Sequence, residues 1–215
     1  MTIDGPAASG KTSVSRYLAK KLKWKWVSTG SFYRGLAFAA QELNLDLKSE
    51  ESLVKLARSS DWSVVMAEDR THVIFRGKDV TEFVASEQVG GAASHISQFP
   101  SVRQELLPLQ RACLDGQVGL IAEGRDCGSV VFPDAILKVF LTARSGDRAQ
   151  RRATEHGQSV VSIEADQQKR DARDVQRTVA PLQIADESRV LDTSDMALDD
   201  VVSTIEAWVK KALSP

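Results

Sequence analysis

Within its first dozen residues the chain carries Gly5-Pro6-Ala7-Ala8-Ser9-Gly10-Lys11-Thr12, which fits the phosphate-binding pattern G-x-x-x-x-G-K-[ST]. This string constrains the fold more than any other, because the loop works only where a strand ends and a helix begins. Glycines let the backbone turn tightly, so that its N–H groups converge on phosphate oxygens. The following helix adds its positive N-terminal end. Lys11 can bridge the β- and γ-phosphates of a nucleoside triphosphate, and the Thr12 hydroxyl can ligate Mg²⁺. Gly5, Ala7, Ala8, Ser9, Gly10, Lys11, Thr12 and Ser13 are therefore nucleotide-binding candidates. A chance glycine-bearing turn is the plainer reading, and the helical pattern that follows argues against it. One feature is odd. Only Thr2, Ile3 and Asp4 are available for the strand, whereas a buried strand usually needs about four residues or more. The strand is thus expected to begin upstream or to fray.

The chain has 215 residues, enough for one α/β domain with insertions. Its formal net charge is −1, which gives no global field for nucleic acid or membrane surfaces. No apolar run approaches the ~20 residues of a membrane span, and no signal peptide opens the chain, so a cytoplasmic protein without membrane or nucleic-acid partners is expected. The two cysteines, Cys113 and Cys127, lack metal or CxxC spacing and read as reduced thiols. The histidines are scattered and form no ligand cluster.

Residues 11–23 have helical periodicity, with Val14, Leu18 and Leu22 on one face. Residues 24–27 read as a short strand, 28–31 as a turn with capping residues, and 31–43 as a helix. Arg34 in that helix's first turn opposes the helix dipole, which points either to a facing anion or to a solvated charge. A short helix is predicted over 50–59. The runs 62–66 and 72–76 are β-rich, with 77–79 as a turn, and suit a small antiparallel insert. Helices are predicted over 86–97 and 101–114, broken at Phe99-Pro100. Buried strands follow at 119–123 and 135–141. The first ends in Glu123-Gly124-Arg125-Asp126, and the end of a parallel strand is where ligands bind in open sheets. The helix from about 144 carries Arg144, Arg148, Arg151 and Arg152. Over 157–177, Arg170, Asp174 and Arg177 share one helical face, a spacing that also suits surface ion pairs. A strand at 188–192 and a helix over 197–213 close the chain. Alternation after a phosphate loop gives a parallel three-layer α/β sheet.

Here the chain resembles the bacterial cytidylate kinases, nearly from end to end. The segments that carry the likeness are TIDGPAASGKT, STGSFYR, AASHISQFPSVRQELLPLQR, EGRDCGSVVFPDAILKVFLTA, RDARDVQRTVAPL and VLDTS. The resemblance implies a P-loop NTPase fold of α/β class with a parallel central sheet, an antiparallel insert in the region binding the nucleoside monophosphate, and a helical lid. It implies one domain over 1–215. The core would be 1–30, 116–148 and 178–215, the monophosphate-binding region 31–115 with its insert at about 61–80, and the lid about 149–177. It also implies a phosphotransferase that moves the γ-phosphoryl group of ATP, with Mg²⁺, to CMP or dCMP, and a monomer is expected.

By motif position the resemblance assigns Thr29 to the CMP site, and Arg34 and Arg125 to the CMP phosphate. Ser94, Arg103 and Asp126 would read the cytosine edge, and Asp174 the pentose hydroxyls. Arg170 and Arg177 would close on the transferring phosphates, with Lys11 and Arg125 beside them as catalytic groups. The chemistry is coherent. Phosphoryl transfer needs positioning and charge neutralisation, and Arg offers planar bidentate donors to phosphate. Cytosine N4 can donate to Asp126, whereas uracil O4 would leave that carboxylate unpaired. Two departures stand out. Ser28 replaces a usual Asp, and Ala8 a usual Gly, which matters if that backbone has φ > 0. Another small kinase acting on UMP or AMP, or a switch ATPase, is the alternative.

Overall fold

The computed structural model describes residues 1–67, 70–156 and 159–214, with the side chains of residues 155, 156, 162, 166 and 170 outside the description. The chain divides into two compact units, residues 1–24 with 121–215, and residues 25–120. The first unit opens with β1 (Thr2–Asp4) and α1 (Lys11–Leu22). The second holds β2 (Lys25–Ser28), α2 (Gly30–Glu42), α3 (Glu50–Ala57), β3 (Trp62–Met66), β4 (Thr71–Phe75), β5 (Lys78–Asp79), α4 (Thr81–Val84), α5 (Glu87–Ile96) and α6 (Pro100–Arg111). The chain then returns with β6 (Leu120–Gly124), β7 (Lys138–Thr142), α7 (Ser145–His156), α8 (Val160–Gln176), β8 (Arg189–Asp192) and α9 (Leu198–Leu213).

In the first unit the strands run β6-β1-β7-β8, all parallel. The three-residue β1 is not frayed. It is buried and hydrogen-bonded on both sides, with Ile3 opposite Glu123 and Val139. Two central neighbours satisfy its backbone groups, so length is not what holds it in place. Ile3, Ile121, Val139 and Leu141 are buried, as are Val14 and Leu18 of α1 and Val202, Ile205 and Val209 of α9. Each such side chain contributes roughly 1.5–3 kcal/mol on burial. Helices α7 and α8 pack on each other through Ala149, Ala153 and Ile163.

The second unit is organised around α2, which packs on α3, α5, β3 and β4. Gly35 permits the approach: a Cβ there would lie 2.9 Å from Val73 Cγ1 and 3.0 Å from Trp62 Cε3. The antiparallel sheet has order β3-β4-β5, with Trp62 opposite Phe75 and Met66 opposite Thr71. Trp62 Nε1 donates to Leu56 O at 3.1 Å, so the indole is buried with its donor satisfied.

Several elements differ from the sequence reading. β7 starts three residues later than the apolar run, at Lys138, because Ala135–Leu137 approaches as irregular chain. Lys78–Asp79 pairs with β4 rather than only turning, and α4 is a helical turn that composition did not disclose. Arg111 ends α6, and residues 112–114 tighten into a 3₁₀ turn.

Candidate active site

β1 ends at Asp4, and the loop from Gly5 leads into α1. Gly5 has φ 148°, and a Cβ there would meet Leu141 O at 2.0 Å, so the position admits no side chain. Gly10 has φ 88° and stands at the N-terminal end of α1, which has neither a capping side chain nor an acidic residue in its first turn. Those free helix donors suit an anion. Ala8 has φ 55°, the left-handed conformation that costs a residue with a side chain about 1–2 kcal/mol. Lys11 Nζ donates to Pro6 O at 2.6 Å and contacts Ser9 Oγ at 3.5 Å. Desolvation, and then the neighbouring Arg125, hold its ammonium below the usual lysine range. Thr12 Oγ1 donates to Glu123 Oε1 at 2.8 Å, and Ser13 lies exposed one residue on. Mg²⁺ bound beside phosphates needs only one or two protein oxygens, so the Thr12 and Glu123 oxygens fit that ion.

The residues after β6 form the second part. Asp4 is buried, and its two carboxylate oxygens accept from Cys127 N (2.8 Å) and Gly128 N (2.7 Å). Burial outweighs those bonds and raises its carboxyl to about 6. The segment they fasten is a single π-helical turn, Cys127–Val131, in which Phe132 N donates to Cys127 O at 2.7 Å. π turns often mark functional positions. Asp126, also buried, precedes this turn directly, and its carbonyl accepts from Val130 N at 2.9 Å. Arg125 reaches the phosphate loop: its Nη1 donates to Gly5 O at 2.6 Å.

Arg125 also meets α8. Its Nε lies 3.0 Å from Asp174 Oδ2, and Asp174 is buried. The sequence spacing suggested pairs along the helix itself; the Asp174 carboxylate instead pairs across the fold. Arg177 follows the end of α8, and its Nε donates to Asp174 O at 3.3 Å. The side chain of Arg170, the remaining candidate on this face, lies outside the described residues. Two further groups converge here. Arg148, buried on α7, and Asp171 on α8 form an ion pair of 2.6 Å, and both touch Ala7.

The second unit carries the other candidates. Thr29 is buried just ahead of α2, and its carbonyl accepts from Gln110 Nε2 of α6 at 3.2 Å. Arg34 Nη1 donates to Val84 O and, at 3.1 Å, to Ser86 O, so its guanidinium is held at the junction of α4 and α5. Ser94 and Arg103 are both buried and are joined through Ser97. Ser97 Oγ donates to Ser94 O at 3.0 Å, and Arg103 Nη1 donates to Ser97 O at 3.2 Å. The Arg103 guanidinium stands 5.4 Å over the Tyr33 ring, a cation–π contact that helps to offset burial of the charge.

The structure therefore gathers Lys11, Thr12, Arg125, Asp174 and Arg177 in the first unit, and Ser94 with Arg103 in the second. Sequence reasoning passed over Asp4, Arg148, Asp171, Tyr33 and Gln110. Asp4 had a signal, an acid at the end of the strand that leads into the phosphate loop; the others meet their partners only through long-range folding. Among the described residues no cluster of three or more His, Cys, Asp or Glu could hold a metal by itself, and no helix is long and apolar enough to cross a membrane.

Known proteins resemble this chain over nearly its whole length. The family model described as cytidylate kinase matches residues 1–211. A protein of Bdellovibrio bacteriovorus named cytidylate kinase is 51% identical over 213 residues, covering 99% of this chain and 98% of that one. Another with that name, from Azotobacter vinelandii, is 45% identical, covering 95% and 92%. Among solved structures, TT1252 from Thermus thermophilus aligns with a TM-score of 0.52 at 17% identity over 100% of this chain and 97% of that one, a likeness of fold.

Proposed function

Because the chain belongs to the cytidylate kinase family, nucleoside monophosphate kinases, we propose that it transfers the γ-phosphoryl group of ATP to CMP and dCMP, giving CDP and dCDP. The observation that carries this reading is the position of Arg125. One guanidinium touches the phosphate loop at Gly5 O and the Asp174 carboxylate of α8, so the donor loop and the acceptor-side groups share a side chain. Two phosphorylated substrates react only when held in line, and positioning with charge neutralisation supplies most of the rate.

In this reading the loop amides, Lys11 and the first turn of α1 bind the triphosphate. Thr12 would ligate Mg²⁺, with Glu123 as its outer-sphere partner, and the ion would neutralise phosphate charge when bound. Arg34 and Arg125 take the CMP phosphate, and Thr29 supports the same site. Asp126 accepts from cytosine N4, and Ser94 and Arg103 donate to the ring's other edge. Asp174 accepts from the pentose, and Arg170 and Arg177 close on the phosphoryl group in flight. Residues 31–115 form the acceptor region and 149–177 the lid, which excludes water that would otherwise take the phosphoryl group. We place the enzyme in the cytoplasm as a monomer.

A coupled ADP-release assay with CMP, dCMP, UMP and AMP tests the reading. Robust turnover with CMP and dCMP is expected. Turnover with UMP or AMP but not CMP, or ATP hydrolysis indifferent to any acceptor, would overturn it.

A further inference from the structure

Ala7 is the third residue of the phosphate loop, and both of its backbone polar groups are held by side chains from far along the chain. Its N–H donates to Asp171 Oδ1 at 3.3 Å, and its carbonyl accepts from Arg148 Nη1 at 3.0 Å. The same Nη1 donates to Asp171 Oδ2 at 2.6 Å, which closes a ring of contacts around the residue. Arg148 is itself fixed from behind, because its Nε donates to Ala143 O at 3.1 Å. Its own peptide carbonyl accepts from the buried Gln167 of α8 at 3.5 Å. A guanidinium tied at this many points does not follow the loop; the loop conforms to it.

The neighbouring residue explains why such a hold matters. Ala8 sits at φ 55°, in a region that glycine enters freely and alanine does not. Left to itself, Ala8 would relax toward negative φ and swing the peptide on its N-terminal side. That peptide contains the Ala7 carbonyl and the Ala8 N–H, which point to opposite sides of a trans unit. By fixing the carbonyl, Arg148 aims the Ala8 amide, and the Asp171 carboxylate keeps Arg148 and the Ala7 amide in register.

We propose that Asp171 and Arg148 are a positioning pair for the phosphoryl donor, holding the Ala7–Ala8 peptide in the orientation that presents the loop amides to the triphosphate. The pair acts through the loop and makes donor binding depend on helix α8. The proposal rests on the donor-site reading given above.

The test compares wild type with Asp171→Ala, Asp171→Asn, Ala8→Gly and the Ala8→Gly/Asp171→Ala double variant. The measurements are KM for ATP, KM for CMP, kcat and melting temperature. Asp171→Ala is expected to raise KM for ATP about tenfold, the size of one lost charge-assisted contact, and to change KM for CMP less than about twofold. Asp171→Asn keeps an acceptor for the Ala7 amide but weakens the ion pair, and should fall between. Glycine at position 8 tolerates the left-handed backbone unaided, so the double variant should recover most of the ATP affinity. An unchanged or lowered KM for ATP in Asp171→Ala, an equal rise for CMP, or no recovery in the double variant would overturn the proposal. If Asp171→Ala does not fold, the near-isosteric Asp171→Asn decides by the same ATP-against-CMP comparison. Wild type that cannot use ATP would instead remove the donor-site reading.

Discussion

Thr12 Oγ1 donates to Glu123 Oε1 at 2.8 Å, linking the first turn of α1 to the end of β6. The two side chains are 111 positions apart in sequence, yet together they present hard oxygens next to the phosphate loop. In the proposed role of Thr12 as a Mg²⁺ ligand, the accepting carboxylate would orient the hydroxyl's lone pairs toward the ion.

Glu123→Gln should therefore raise the Mg²⁺ concentration needed for half-maximal rate by about 10- to 100-fold, the usual effect of losing an outer-sphere partner. Titrating the rate with Mg²⁺ at saturating ATP checks this. A mutant with an unaltered Mg²⁺ curve would separate Glu123 from the ion.

Lys11→Ala should cut kcat by at least about 10²–10³-fold, because a preorganised charge aimed at the transferring group is lost. The fold should survive. The ammonium is held below its usual range by desolvation and by Arg125, so its removal is not expected to unfold the protein. Circular dichroism and a melting curve, read beside the kinetics, test both halves. Near-normal turnover would take the loop lysine out of the mechanism.

Asp126→Ala should raise KM for CMP about 10- to 100-fold and leave KM for ATP nearly unchanged, since the buried carboxylate proposed to accept from cytosine N4 is removed. Equal losses for the two substrates would argue that Asp126 serves the loop's shape and not the base.

Asp4 gives a pH prediction. Its carboxyl rises from 3.8 to about 6 on folding, chiefly through burial, so the folded protein binds this proton more tightly. The stability it contributes is complete below pH 3.8 and is lost as pH rises through about 6. Denaturant titrations between pH 4 and 7 on wild type and Asp4→Asn should show that downward trend in the wild type and a flatter one in the variant. Asn also offers one acceptor where two amides need one each, so the variant should be less stable overall by about 1–3 kcal/mol. Parallel pH slopes would mean that Asp4 titrates alike in both states.

Much of the molecule is legible from its residues because the signals are local. The loop between β1 and α1, the amphipathic faces of α1 and α9, and the β-rich pair Trp62–Met66 and Thr71–Phe75 follow from motif and period. What escaped depends on partners distant in sequence. Asp174 suited ion pairs along its own helix and Arg125 a ligand contact at a strand end, and only folding makes the two neighbours. Asp171 follows Arg170 in a run of charged residues, and nothing local separates it from a surface acid. The π turn at Cys127–Val131 has no compositional sign; it forms because the Asp4 carboxylate takes two amides at its start. Ala8 was legible as a departure, and its φ of 55° shows that the backbone the loop requires did not change with the residue.

The three-residue strand β1 also fixes a sequence of events in the life of the chain. Thr2 pairs with Ala122 on one side and Lys138 on the other, so the strand that launches the phosphate loop has no partner until most of the polypeptide exists. Contacts this distant form late and slowly. On the ribosome β1 thus emerges well before either partner and is among the last segments to be locked. A fragment ending at residue 115 is expected to leave the loop amides open to hydrogen exchange even with ATP present, while the full chain protects them.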